Sequence, residues 1–172
     1  MSTSSRPKPD VGPPRVGELA PDFTLPDQHG ADVTLSSVRG AKFAAVVFYP
    51  FAFSGICTGE LRAIRDNLED FQDGDVQVFT ISCDAIYSLR AWADLEGHFF
   101  PLLSDYWPHG EVTRRYGAFN EDQGAPLRAT FLIDRDGRVA WREINGPGEA
   151  RDFATYRAAL AELRRADPTP AD

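Results

Sequence analysis

The sequence predicts an α/β fold: a mixed central sheet with helices on both faces. Three patterns predict it. Residues 43–49 are almost continuously apolar, as in a strand covered on both sides. Leu61, Ile64, Leu68 and Phe71 follow at helical spacing, and residues 76–82 form a second β-type run. A strand, a crossover helix and another strand imply a parallel βαβ unit, to which a later hairpin adds an antiparallel part.

Each element has its own signal. Residues 23–25 and 33–35 flank Asp27-Gln28-His29-Gly30, a short N-terminal hairpin. Pro50 ends the buried strand, and Asp73-Gly74-Asp75 breaks the helix that follows. Ile86, Leu89 and Ala93 mark a second helix, with Trp92 on a neighbouring edge. Residues 99–103 read as a short strand, residues 104–110 as a loop, and Val112 and Tyr116 as a short helix. Residues 130–134 and 139–143 flank the turn Arg135-Asp136-Gly137. Gly146-Pro147-Gly148 reads as another turn, and Phe153, Tyr156, Leu160 and Leu163 as a last amphipathic helix. The sum is a thioredoxin-like arrangement with an N-terminal hairpin extension, expected over residues 16–165. Residues 1–15 hold several prolines and few apolar side chains, so they are expected to form a mobile tail, as are residues 166–172.

Composition excludes several function classes. A net charge of -8 disfavours nucleic acid and anionic membrane. No apolar run approaches the roughly 20 residues of a membrane helix. Two cysteines, Cys57 and Cys83, make neither a disulfide framework nor a four-cysteine zinc site. His29, His98 and His109 have no metal-ligand spacing, and no nucleotide-binding glycine pattern appears. No metal or cofactor is expected. Few cysteines, and no apolar export signal in residues 1–15, predict a cytoplasmic location.

The chemistry concentrates where the buried strand runs into its helix, the edge where α/β sheets gather ligands. Cys57 falls near the first turn, where unpaired amides and the helix dipole favour an anion and hence a thiolate. Ser54 stands three residues earlier, its hydroxyl able to donate to and accept from a small oxygen ligand. Pro50 fixes the strand exit and contributes no donor. Without its context, Cys57 reads equally well as an inert core thiol.

Pro50-x-x-x-Ser54-x-x-Cys57 after a buried strand resembles the active-site motif of the peroxiredoxins, the AhpC/TSA family. The likeness extends to Ala20-Pro21-Asp22-Phe23, Phe48-Tyr49-Pro50, Pro101-Leu102-Leu103-Ser104-Asp105 and the segment from Arg128 to Asp134. Within the family, Trp107-Pro108-His109-Gly110 and Gly146-Pro147-Gly148-Glu149 are similar to the one-cysteine, alkyl hydroperoxide reductase E type. The resemblance implies that Cys57 is the peroxidatic cysteine, that Pro50 and Ser54 are its motif partners and that Arg128 completes the site. Ser54 departs mildly, since many members carry Thr there. Glu60 resembles a family glutamate and is a supporting residue.

The implied function is a thiol-dependent peroxidase. It reduces hydrogen peroxide, organic hydroperoxides and peroxynitrite through a Cys57 sulfenic acid. Cys83 matches no resolving position and ends a strand, so an external thiol is expected as reductant: a low-molecular-weight thiol, a glutaredoxin-like protein or thioredoxin. The family also implies a homodimer, on the side carrying residues 51–53 and 106–107. A thiol–disulfide oxidoreductase is disfavoured, because Glu60 stands where Cys-x-x-Cys needs its second cysteine. The alternative is a redox sensor or chaperone-like protein that uses the same cysteine without turnover.

Overall fold

The computed structural model describes residues 12–146 and 148–168. Its centre is a five-stranded sheet in the order β5-β4-β3-β8-β9. β3 (Phe43–Phe48) lies in the middle, parallel to β4 (Val76–Ser82) and antiparallel to β8 (Arg128–Ile133). β5 (Leu102–Ser104) extends the parallel side, and β9 (Val139–Asn145) closes the antiparallel side as a hairpin with β8. This is the thioredoxin-like arrangement the patterns predict.

Every residue of β3 is buried because both faces of the sheet are covered. Phe43, Ala45, Val47 and Tyr49 face one core with Leu61 and Ile64 of α1 (Gly55–Asp66). Trp92 of α2 (Ile86–Glu96) and Tyr156 and Leu160 of α4 (Phe153–Ala166) complete it. Ala44, Val46 and Phe48 face the other, with Val112 of α3 (Glu111–Arg115) and Tyr116 just beyond it. Phe23 and Leu25, from the hairpin of β1 (Thr24–Pro26) and β2 (Asp32–Thr34), cover that second face.

The apolar periodicity overreads α1. The helix stops at Asp66, where Asn67 leaves helical geometry at φ -123°, and a 3-10 turn at Leu68–Asp70 follows. Phe71 stays buried all the same, stacked on Tyr156 at 4.5 Å. The strand expected over residues 99–103 begins only at Leu102. Pro101 has no N–H to pair, although its carbonyl accepts from the Thr80 amide and hydroxyl, and Phe99 is 87% exposed. A small hairpin, β6 (Phe119–Asn120) and β7 (Ala125–Pro126), was too short to leave a periodic signal.

Residues 1–11 and 169–172 of the two expected tails, and Pro147 of the expected turn, lie outside the described residues. Of the remainder, Pro14 is buried, and the carbonyls of Pro13 and Pro14 each accept from Arg142 Nη1 at 3.0 Å. Pro13 sits so close to Gly117, which has φ +61°, that a Cβ there would meet it at 2.5 Å. At the other end Arg135 Nη1 donates to the Asp167 carbonyl. Among the described residues no helix is long and apolar enough to cross a membrane.

Candidate active site

The chain leaves β3 through Tyr49 and Pro50, both buried, and turns at Phe51-Ala52-Phe53. Phe53 takes φ 67°, the left-handed conformation that L side chains rarely adopt. Ser54 is then the N-cap of α1, in extended geometry, with its carbonyl accepting from the Thr58 amide at 2.9 Å. Cys57 is the third helical residue, inside the first turn as expected. The Ser54 hydroxyl does not cap the helix and has no partner among the described residues, although its oxygen is buried. A buried hydroxyl without a partner is costly, and one that lines a cleft is suited to a polar ligand.

A strand, a helix and a loop bring the charged groups to the same point. Arg128, the first residue of β8, is buried and aims Nη2 at the Cys57 sulfur, 3.7 Å away. Its Nε lies 3.1 Å from Glu60 Oε1, a distance that makes an ion pair, but the N–H is not directed for a hydrogen bond. Glu60 is one turn along α1 from Cys57 and is itself buried. Its other oxygen accepts from Arg151 Nε at 2.7 Å.

Arg151 escaped the sequence reading. It precedes α4 in a loop, within no motif. It reaches inward and donates to the Ala129 carbonyl at 2.8 Å, the Thr130 hydroxyl at 2.9 Å and the Phe48 carbonyl. It thus ties together β3, β8 and Glu60. Burial pulls its guanidinium below the usual arginine range, and the Glu60 charge opposes that shift. Two guanidinium groups and one carboxylate leave this cluster one net positive charge. A thiolate at Cys57 neutralises it.

Pro50, Ser54 and Arg128 line a cleft of about 200 Å³, together with Phe51, Ile56, Asn120, Gln123, Pro126, Leu127 and Gly148. The β6–β7 hairpin therefore supplies one wall that the sequence did not reveal. The sulfur is fully buried behind the cleft, against Tyr49 and Leu61 of the core. A larger cavity of about 390 Å³ lies elsewhere, lined by Gln28, His98 and Phe100, and holds none of the expected site residues.

Cys83 is also free and buried but has different surroundings. It is a free thiol just after β4, and burial pushes it up to about 12, with the Asp105 charge adding to the effect. No guanidinium is aimed at it among the hydrogen bonds of the described residues. His109 bonds the Gly124 carbonyl at 2.6 Å, bracing the β6–β7 hairpin. Among the described residues no group of three His, Cys, Asp or Glu side chains is placed to hold a metal ion.

The profile of the AhpC/TSA family matches residues 16–142. Alkyl hydroperoxide reductase E of Mycobacterium tuberculosis H37Rv is 48% identical over 148 residues, covering 86% of this chain and 97% of that protein. The crystal structure of peroxidoxin BcpB from Mycobacterium tuberculosis superposes with a TM-score of 0.75 at 30% identity, over 91% of this chain and 99% of that one. The reduced 2-Cys peroxiredoxin of Plasmodium vivax gives 0.79 at 25% identity, over 90% and 84%. A thioredoxin-like sheet, a cysteine at the start of its first long helix and these likenesses agree: the chain belongs to the AhpC/TSA family, the peroxiredoxins, and is a thiol-dependent peroxidase.

Proposed function

We propose that Cys57 is the sulfur oxidised by peroxide, with Ser54 and Arg128 as the donors that hold the O–O group and Pro50 as the wall of their niche. The supporting observation is the Arg128 Nη2 aimed at the sulfur across 3.7 Å, with a buried Ser54 hydroxyl in the same cleft that has no partner among the described residues. The thiolate attacks the terminal oxygen of ROOH. An S–O bond forms, the O–O bond breaks, and sulfur gives two electrons to the leaving alkoxide, which takes up a proton as ROH. Cys57 becomes a sulfenic acid.

Ionisation alone is a small effect. An ordinary thiol of pKa ~8.5 is about 3% thiolate at pH 7, so full ionisation gains at most about 30-fold. The larger share falls to donors aimed at the charge that develops on the leaving oxygen. In this reading Ser54, Arg128 and the first-turn amides of α1 supply them. Peroxide enters by the cleft that Ser54 and Arg128 line. Phe51, Ile56 and Leu127 give the cleft an apolar flank and Asn120 and Gln123 a polar one, which suits hydrogen peroxide, organic hydroperoxides and peroxynitrite.

Cys83 takes no part, and an external thiol reduces the sulfenic acid: a low-molecular-weight thiol, a glutaredoxin-like protein or thioredoxin. Two free thiols suit a reducing cytoplasm. The aromatic edge that carries Phe51, Phe53, Tyr106 and Trp107, the last 82% exposed, is the face through which the chain pairs as a homodimer. Competition kinetics on the wild type and Cys57→Ser, with the reductant varied, test the assignment. Wild type is expected to turn over with an added thiol and Cys57→Ser to be inert. Peroxide consumption by Cys57→Ser at the wild-type rate would refute it.

A further inference from the structure

We propose that Asp84 is a positioning residue for peroxide reduction, acting through the loop that carries Ser54. The inference rests on the reading of Cys57 and Ser54 given above. Asp84 lies just beyond the end of β4, on the far side of Tyr49 from the arginines, and no sequence motif marks it. Its Oδ2 accepts from the Ala52 amide at 2.9 Å and from the Ser82 hydroxyl at 2.8 Å. Its own backbone is pinned, because its carbonyl accepts from the Ser104 hydroxyl at 2.5 Å. Ser82 and Ser104 are both buried and belong to the paired ends of β4 and β5. The carboxylate therefore ties a rigid sheet edge to the middle of the loop at residues 51–53.

That loop needs a tie. Phe53 sits at φ 67°, a conformation unfavourable for a side chain with a Cβ. The only other loop contact of this kind is the weak 3.4 Å bond from the Ser54 amide to the Phe51 carbonyl, among the described residues. The Phe53 ring is half-exposed and rests on Trp92 at 6.1 Å. With the Ala52 amide held, the chain must pass through the left-handed conformation before it reaches Ser54, and this sets where the Ser54 hydroxyl stands relative to Cys57. Without the tie, Phe53 relaxes to negative φ and the hydroxyl leaves the niche. Cys57, fixed by α1 and Arg128, stays in place.

The experiment compares two reactions of the same sulfur: stopped-flow oxidation by hydrogen peroxide, which needs the Ser54 donor, and alkylation by iodoacetamide, which does not. In Asp84→Ala, oxidation is expected to slow at least 10-fold while alkylation changes less than threefold. Asp84→Asn keeps an acceptor for the Ala52 amide and is expected to retain most of the oxidation rate. Adding Phe53→Gly to Asp84→Ala removes the conformational penalty and is expected to restore at least half of the lost rate on a logarithmic scale. Should Asp84→Ala not fold, Asp84→Glu, which displaces the carboxylate by one methylene, takes its place with the same expectations. Unchanged oxidation, a parallel loss in both reactions or no rescue by Phe53→Gly would overturn the proposal. Cys57→Ser, run alongside, tests the underlying reading separately: if it consumes peroxide, that reading fails whatever Asp84 does.

Discussion

Arg151 holds Glu60 by a buried ion pair of 2.7 Å, and neither of the two lines the cleft. The pair explains how a guanidinium can be presented to a sulfur inside a protein. Glu60 spans the two arginines, and Arg151 donates its remaining bonds to carbonyls of β3 and β8 and to the Thr130 hydroxyl. Removing one member of such a pair strands the other, at a cost of about 3–5 kcal/mol. Arg151→Met is therefore expected to lose about that much in urea denaturation, and Glu60→Gln at least as much, because it leaves two buried guanidinium groups with no carboxylate between them. A loss below about 1 kcal/mol for Arg151→Met would mean that the cluster is not a structural support.

Arg128 and Ser54 are expected to act on the rate beyond any effect on ionisation. Arg128→Met is predicted to slow Cys57 oxidation by more than the roughly 30-fold that loss of thiolate alone allows. Ser54→Ala is predicted to slow it about 100-fold, at the lower end of the effect of a lost transition-state donor. Ser54→Thr keeps the hydroxyl and should remain within a few-fold of wild type. Stopped-flow oxidation over a pH series measures this. Rate losses that follow thiolate fraction alone would remove the role given to O–O polarisation.

Cys83 is predicted to be dispensable. Burial pushes its thiol up to about 12, so almost none is ionised at neutral pH, and a thiol that does not ionise resolves nothing. Cys83→Ser should keep its turnover with an external thiol. A Cys57–Cys83 disulfide after one equivalent of peroxide, seen by peptide mass spectrometry, would contradict the one-cysteine mechanism.

His98 predicts an acid-side loss of stability. Its ring is buried between Trp92 and Phe100, with neither nitrogen bonded among the described residues. Burial lowers it to about 4 from 6.5, reinforced by Arg65 and opposed by Glu96. A base depressed in the folded state takes its proton first in the unfolded chain. Stability is thus complete above about pH 6.5 and falls as pH drops through 4. The cavity beside the ring admits solvent, so screening reduces the effect to about 1–2 kcal/mol. Wild type should lose that much more than His98→Phe between pH 7 and 4 in urea titrations, and equal losses would exclude it.

Much of this architecture was legible because its signals are local. Residues 43–49 could only be a strand covered twice, and Pro50, Ser54 and Cys57 lie within eight positions whose spacing places them on one strand exit and one helix start. Arg128 was legible only through the resemblance, since nothing local distinguishes it from a surface arginine. Arg151 and the Asn120–Gln123 wall were not legible at all. Their positions depend on long-range packing of a loop and a two-residue hairpin, which leave no periodicity. The end of α1 was misread because Leu68 and Phe71 continue the apolar spacing while a 3-10 turn, not the helix, delivers Phe71 to the core.

The account stands on which sulfur carries the oxygen. Treating the reduced protein with one equivalent of hydrogen peroxide in the presence of dimedone, then digesting it for mass spectrometry, reads this directly. A dimedone adduct on Cys57, with Cys83 unmodified, is the predicted result. An adduct on Cys83, or none on Cys57 while peroxide is consumed, would contradict it.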